Sequence, residues 1–268
     1  MHRFYILPEN WNPDALTLSG SEAHHCRDVL RMERGDKAVL FNGRGREITA
    51  EIVDLERREV HLRKLHESST PLLRCRITLG QALPKGKNIE LIVQKAVEIG
   101  ASEIVPLISE RTIVDLDPAS AGHKQEKWRQ VAIEAAKQCG QNWLPHVHAP
   151  RKLKDFFIDF PVQAGIPTGN SRNMPLRTAV TTTFDLRLIG SLQPDALHLK
   201  KILAEFSSEH HDRPESVLML IGPEGDFTPA ELALAKSHGC RPITLGPIVL
   251  RVETAAIYCL SVLCYELL

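Results

Sequence analysis

Apolar and polar positions change their rhythm along this chain. Up to about residue 70 they alternate in short runs, Lys37–Asn42, Glu47–Val53 and Val60–Leu65, broken by Asn42-Gly43-Arg44-Gly45 and by Glu56-Arg57-Arg58-Glu59. Period-two alternation with glycine and charged turns predicts a small, mainly β domain, a meander or a barrel. One helix is expected within it, from about Ser21 to Arg31, with Ser19 or Ser21 as its cap. Composition shifts at Ser68-Ser69-Thr70-Pro71, which places the linker there and divides the chain into residues 1–71 and 72–268. Beyond it, Cys75–Leu83 and Glu103–Ile108 read as strands. Asn88–Ile99 reads as a helix, with Ile89, Ile92, Val93, Ala96 and Ile99 apolar and Gly100 just past its end. A second helix is expected from about Lys124 to Cys139, after a break at Asp115, Asp117 and Pro118. Strand, helix, strand, helix predicts an α/β fold with a parallel sheet. Gly165–Thr183, rich in Gly, Pro, Ser, Asn and Thr and without period, predicts a long loop.

Residues 216–268 carry the densest signals. Val217–Ile221 is an apolar run that stops at Gly222-Pro223, as a buried strand entering a loop does. Thr228 then stands as N-cap, Pro229 at the first helical position and Glu231 as the partner in a capping box, with Gly239 ending the helix. Pro242–Leu245 forms a second short strand into another glycine loop, Gly246-Pro247, and Glu253 or Thr254 opens an apolar C-terminal helix. Two glycine loops thus sit at the carboxyl ends of two strands, the edge where open α/β sheets bind ligands. Glu224 and Asp226 lie close to a helix start, where they would repel a pyrophosphate, and neither GxGxxG nor GxxxxGK[ST] occurs. Two readings stay open for these carboxylates: they favour the dipole of the next helix, or they face a ligand with cationic groups beside an apolar body. S-adenosylmethionine is such a ligand.

Composition narrows the classes. Lys and Arg number 33, as do Asp and Glu, so any contact with RNA must come from local clusters rather than from a global basic excess. Arg27, Arg31 and Arg34 follow helical spacing and Arg44 and Arg46 sit on the glycine turn. Asp28, Glu33, Asp36 and Glu47 balance them, as on a solvated face. Met1-His2-Arg3-Phe4 opens no apolar run, and the six cysteines form no CxxC pair; both point to a reduced, cytosolic protein without a secretion signal. Ala255–Cys264 is too short to span a bilayer, which leaves a core or subunit-interface helix. His24-His25-Cys26 and Cys139, His146 and His148 lack the paired spacing of a zinc site, so no metal is expected.

LIGPEGDFTPAEL followed by LGPIVLRVETA resembles the two cofactor-loop motifs of the RsmE family, the small-subunit ribosomal RNA uridine-N3 methyltransferases of the SPOUT superfamily. RFYIL, SEAHHCRDVLRMERGDKAVLFNGRGREITAEI and AIEAAKQCGQNWLP extend the likeness to both ends and the middle of the chain. Family members usually read GPEGG and LGPRILRTETA. Here Asp226 replaces the second glycine, Ile248 an arginine and Val252 a threonine, with a milder change at Val249. The resemblance implies a PUA-like β-barrel domain followed by a SPOUT α/β domain with a C-terminal trefoil knot, dimeric through its last helix. It implies S-adenosylmethionine held by Ile221, Gly222, Gly225, Leu245, Gly246, Ile248 and Leu250. Asp185–Gly190 is then a strand whose end at Ser191 supplies a third wall, followed by a helix from about Asp195 to Phe206. Arg3, Arg27, Arg31 and Arg111 become RNA contacts. The implied substrate is uridine 1498 of 16S ribosomal RNA in the small subunit, methylated in the cytoplasm without metal or membrane.

Methylation at uridine N3 requires attack on a sulfonium methyl by a nitrogen that is protonated near neutral pH. The protein must assist loss of that proton or stabilise the charge left on O2 and O4. An arginine suits the second task, since its cationic fork keeps its own proton. Arg251 is therefore expected to stabilise the uracilate and Glu253 to orient the loop or Arg251. The competing reading has Glu253 capping the last helix and Arg251 pairing with it. Two other functions compete: ribose 2′-O methylation by a SPOUT enzyme on another RNA, and a non-catalytic RNA-binding or assembly factor, for which Asp226 and Ile248 speak.

Overall fold

Two sheets follow the change of rhythm near residue 70. They are seen in a computed structural model that describes residues 1–86, 88–112, 118–160 and 184–268. The loop expected at Gly165–Thr183 lies outside the described residues, as do Asp115 and Asp117. The first sheet contains β1 (His2–Tyr5), β2 (Leu16–Ser19), β3 (Lys37–Phe41), β4 (Arg46–Leu55) and β5 (Glu59–Ser69), in the order β1-β3-β4-β5-β2. β1 runs parallel to β3, and the other neighbours are antiparallel. Alternation works as predicted in β4: Ile48, Ala50 and Ile52 are buried with Phe4, Leu18, Leu40, Val60 and Leu62 in one core.

The helix expected from Ser21 to Arg31 is shorter. α1 (Gly20–His24) passes into one π turn, His25–Val29, and Arg31 leaves helical space with φ 52°. The turn brings Met32 back onto Cys26: the Met32 N–H donates to the Cys26 carbonyl at 3.1 Å, and both side chains join the core. Burying Met32 outweighs continuing the helix, so Arg31 and Arg34 do not share a helical face with Arg27. Ser19 holds the N-cap position without a side-chain capping bond.

The residues expected to form a linker are ordered. β5 runs through Ser69, and Thr70 is fixed on both sides: its N–H donates to the Gly45 carbonyl at 2.7 Å, while its carbonyl accepts the Trp143 indole N–H at 2.8 Å. The Gly140–Pro145 segment closes against the Asn42–Gly45 turn, with Gly45 N–H donating to Asn142 O at 2.9 Å and Leu144 N–H to Gly43 O at 3.0 Å. The two sheets are thereby stitched together.

The second sheet is wholly parallel. Its elements are β6 (Arg76–Ala82), α2 (Asn88–Ile99), β7 (Glu103–Ile108), α3 (Pro118–Cys139), β8 (His146–Val147), β9 (Arg151–Lys152), α4 (Leu153–Asp159), β10 (Leu186–Gly190), β11 (Leu197–His198), α5 (Leu199–His210), β12 (Ser216–Ile221), α6 (Pro229–Ser237), β13 (Arg241–Thr244) and α7 (Val252–Leu267). Strand order is β11-β13-β10-β12-β6-β7-β8, with β9 also on β7. Helices cover both faces, which explains why β12 is apolar at nearly every position. Val217, Met219 and Ile221 join the core containing α2, α5 and α7, whereas Leu218 and Leu220 join the one containing α4 and α6. Three helix starts depart from expectation. α3 begins at Pro118, six residues early. α5 begins at Leu199 because Leu197–His198 pairs with β13 and Asp195 is held by Lys236 at 2.5 Å. α7 begins at Val252.

Candidate active site

The carboxyl ends of β10, β12 and β13 and the first turn of α7 surround a cavity of about 420 Å3, within the range of small-molecule sites. Gly190, Ser191 and Leu192 form one wall, Ile221–Glu224 and Asp226 a second, and Thr244–Gly246 and Ile248–Leu250 a third; Arg251, Glu253 and Asn88 close the rim. Of the residues predicted from sequence, Ile221, Gly222, Leu245, Gly246, Ile248, Leu250, Arg251 and Glu253 meet there. Gly225 does not: its carbonyl accepts a bond from the Arg111 guanidinium on the outer side of the loop.

The first loop is fastened from several directions. The backbone approaches itself so closely at Gly222 that a Cβ there would lie 3.1 Å from the Phe227 nitrogen. Glu224 accepts the Lys85 N–H at 2.8 Å, and Asp226, at φ 62°, accepts the Phe227 N–H at 2.7 Å and the Leu192 N–H at 3.3 Å. These two carboxylates therefore bind loop backbone and do not cap α6. That task falls to Thr228 and Glu231, whose capping box forms as the sequence predicts. Glu231 is buried because it also accepts the Ser109 hydroxyl at 3.1 Å and the Glu110 N–H at 2.9 Å, tying α6 to the end of β7.

The second loop has fewer ties. Gly246 sits at φ 116°, and its N–H reaches the Thr244 hydroxyl at 3.4 Å. Ile248 and Val249 are 74% and 71% exposed. Arg251 follows as the N-cap of α7, its carbonyl accepting the Ala255 N–H at 2.8 Å and its side chain exposed. Glu253 is the second helical residue, not the cap. Its Oε2 lies 3.4 Å from the Asn88 amide nitrogen, and no ion pair joins it to Arg251.

Three carboxylates and one guanidinium thus line a cavity whose other walls are largely apolar. An anion such as a pyrophosphate is disfavoured there, and a cation on an apolar body is suited to it. No cysteine lines the cavity, and burial pushes the nearby Cys240 and Cys259 thiols up to about 12, so both stay protonated at neutral pH.

The predicted RNA-contacting arginines are dispersed. Arg3 bonds Glu47 and Asn142, both at 2.6 Å, and lies 5.0 Å from the Phe41 ring centroid, so its side chain braces the two sheets. Arg27 is held by Asp28 at 2.7 Å and by the Glu56 carbonyl at 3.0 Å; Arg31 is exposed; Arg111 holds Gly225. Among the described residues no histidine, cysteine and carboxylate group is arranged to hold a metal ion, and His148 is spent on Glu103 at 2.9 Å. No helix among them is long and apolar enough to cross a membrane. Asn88, Thr244 and Leu192 were not legible as site residues, since only the folded sheet edge brings them to the cavity.

A parallel sheet with a cavity at its carboxyl edge and a second, mixed sheet beside it define a two-part α/β protein with room for a small molecule. The family model described as RNA methyltransferase domain matches residues 71–264, and the one described as RNA methyltransferase PUA domain matches residues 18–65. The chain is 30% identical to ribosomal RNA small subunit methyltransferase E of Synechocystis sp., over 95% of this chain and 74% of that protein. Its fold is similar to a Legionella pneumophila methyltransferase solved with the cofactor SAM (TM-score 0.80, 32% identity, 98% and 97% of the two chains covered). It is likewise similar to ribosomal RNA small subunit methyltransferase E of Neisseria gonorrhoeae bound to S-adenosyl methionine (TM-score 0.77, 28% identity, 99% and 98% covered). The chain belongs to the ribosomal RNA small subunit methyltransferase E family, RsmE, and is an RNA methyltransferase.

Proposed function

We propose that this protein transfers the methyl group of S-adenosylmethionine to N3 of uridine 1498 in 16S ribosomal RNA. The single observation that carries the reading is the cavity in which both glycine motifs of the family fingerprint meet beside Arg251. S-adenosylmethionine, the ligand of the solved relatives, supplies an electrophilic methyl on a sulfonium. Ile221, Leu245, Ile248 and Leu250 offer the apolar walls, Gly222 and Gly246 the close backbone, and Asp226 with Glu224 the negative field that favours a cation.

Arg251, exposed at the cavity rim, meets the uracil O2 and O4 and stabilises the charge that remains when N3 loses its proton. Glu253 acts through Asn88: their contact holds the first turn of α7 against the start of α2 and so fixes the direction from which Arg251 enters. Arg27 and Arg31 on the PUA unit contact the RNA, Arg111 supports the first loop from behind, and Arg3 holds the two units in register. The domains divide at residues 71 and 72, and the second is a SPOUT domain with a trefoil knot through which β13 and α7 pass. Tyr258 and Tyr265, exposed one above the other on α7, support a homodimer through that helix, in a protein working in the cytoplasm.

The test is transfer of labelled methyl from S-adenosylmethionine to small ribosomal subunits lacking the modification, followed by nucleoside analysis. N3-methyluridine at the single site is the expected product. A 2′-O-methylated nucleoside would keep the cofactor and overturn the target; absence of transfer, together with absence of cofactor binding, would favour the non-catalytic reading.

A further inference from the structure

Asp226 is the one non-glycine residue lining the cavity that holds a left-handed φ, and it brings a charge there. It stands where the fingerprint has glycine, yet it adopts the left-handed φ of 62° that glycine reaches freely and other residues hold only when their surroundings impose it. Its carboxylate is held at both oxygens: one accepts the Phe227 N–H at 2.7 Å and the other the Leu192 N–H at 3.3 Å, so it ties the loop after β12 to the loop after β10. A glycine would supply the backbone angle and neither bond nor charge. Asparagine would keep the tolerance of left-handed φ without the charge.

The other charges of the cavity are weaker sources of field. Glu224 is exposed and screened by water, and Glu253 and Arg251 carry opposite charges two residues apart at the start of α7. Asp226 is half-buried in the wall, and no cation among the described residues pairs with it. We propose that Asp226 makes this protein selective for the methyl donor over its product, which lacks the sulfonium charge, by facing the cavity with a fixed carboxylate that attracts the additional positive charge at sulfur. The inference rests on the assignment of S-adenosylmethionine to this cavity.

The physical argument is a difference. S-adenosylmethionine and S-adenosylhomocysteine share the adenosine, ammonium and carboxylate, so their contacts with the walls are common to both. They differ by one methyl and one positive charge at sulfur. A cavity of about 420 Å3 is roughly 9 Å across, comparable with the Debye length of about 8 Å, so a cation anywhere in it feels the wall carboxylate. At that separation, effective dielectrics between surface and bulk values correspond to a preference of about twofold to twentyfold. Product release is thereby favoured once the methyl has left.

Calorimetric titration of both ligands into the wild-type protein and the Asp226→Asn and Asp226→Gly variants, at low and high salt, tests this. Thermal melting confirms that the variants are folded, and glycine is free of strain at this φ. The expected result is that Asp226→Asn weakens S-adenosylmethionine about tenfold and S-adenosylhomocysteine less than about twofold. Asp226→Gly should show the same fall in the ratio, and salt should erode the ratio in the wild type alone. A wild-type ratio retained in both variants overturns the inference while leaving the cofactor assignment intact. Wild-type protein that binds neither ligand overturns that assignment, and the inference with it.

Discussion

The two glycine loops of the active site begin alike, each a Gly-Pro at the end of a parallel strand, and are built in opposite ways. The loop after β12 is fixed by Lys85, Arg111, Leu192 and the α6 capping box, so four neighbouring segments specify one backbone path. The loop after β13 has one weak side-chain tie at Thr244 and an apolar tip in solvent. A site that must hold a cofactor and admit an RNA base needs both kinds of wall. The loop after β12 has its path fixed by neighbouring segments, whereas the loop after β13 leaves Ile248 and Val249 in solvent. Order in such a loop comes from the number of independent hydrogen-bond anchors, not from its glycine content.

Single substitutions test that contrast. Glu231→Ala should have the largest effect, because it removes the capping box and leaves the Ser109 hydroxyl and Glu110 N–H without their acceptor; a loss of about 3 kcal/mol in urea unfolding is expected. Ile248→Ala at the tip of the second loop should lower the same unfolding free energy by less than about 0.5 kcal/mol, and equal losses would erase the distinction between the loops. Gly222→Ala comes next. Its Cβ would press on the Phe227 nitrogen at 3.1 Å, and overpacking of this kind costs about 1–3 kcal/mol. Hydrogen exchange should report the opening at Phe227–Glu231 rather than at Gly246–Leu250. Arg111→Ala should do least to stability, about 0.5–1 kcal/mol for one bond at an exposed site, while weakening S-adenosylmethionine several-fold because Gly225 loses its brace. Unchanged binding in that variant would show the loop to be rigid without Arg111.

How much of this was legible in the chain depended on distance along it. The α6 start was readable residue by residue, since Thr228, Pro229 and Glu231 act within one turn. β6, β7, β12 and α2 were equally clear, because a strand covered on both faces and a helix with one apolar stripe have different periods. Less was legible where remote residues decide. The ties of Arg3 to Glu47 and Asn142 were hidden because those partners lie 44 and 139 positions away. The helix that ends early at Val29 is governed by Met32 entering a core that no local pattern displays. The 140–145 segment showed polar and aromatic residues without showing that they clasp Asn42–Gly45 across the two sheets. Asp226 announced a departure from a fingerprint, but its bond to Leu192 exists only once β10 and β12 are adjacent.

The proposed mechanism divides the labour: the loops hold the methyl donor, and Arg251 acts on the base. Arg251→Lys separates the two most directly, because lysine keeps the charge and loses the planar fork that spans two uracil oxygens. The expected result is S-adenosylmethionine affinity within about twofold of wild type and a single-turnover methylation rate lower by about a hundredfold, the range of a lost charge-stabilising donor. Equal loss of affinity and rate would place Arg251 in the cofactor site, and an unchanged rate would remove it from the chemistry.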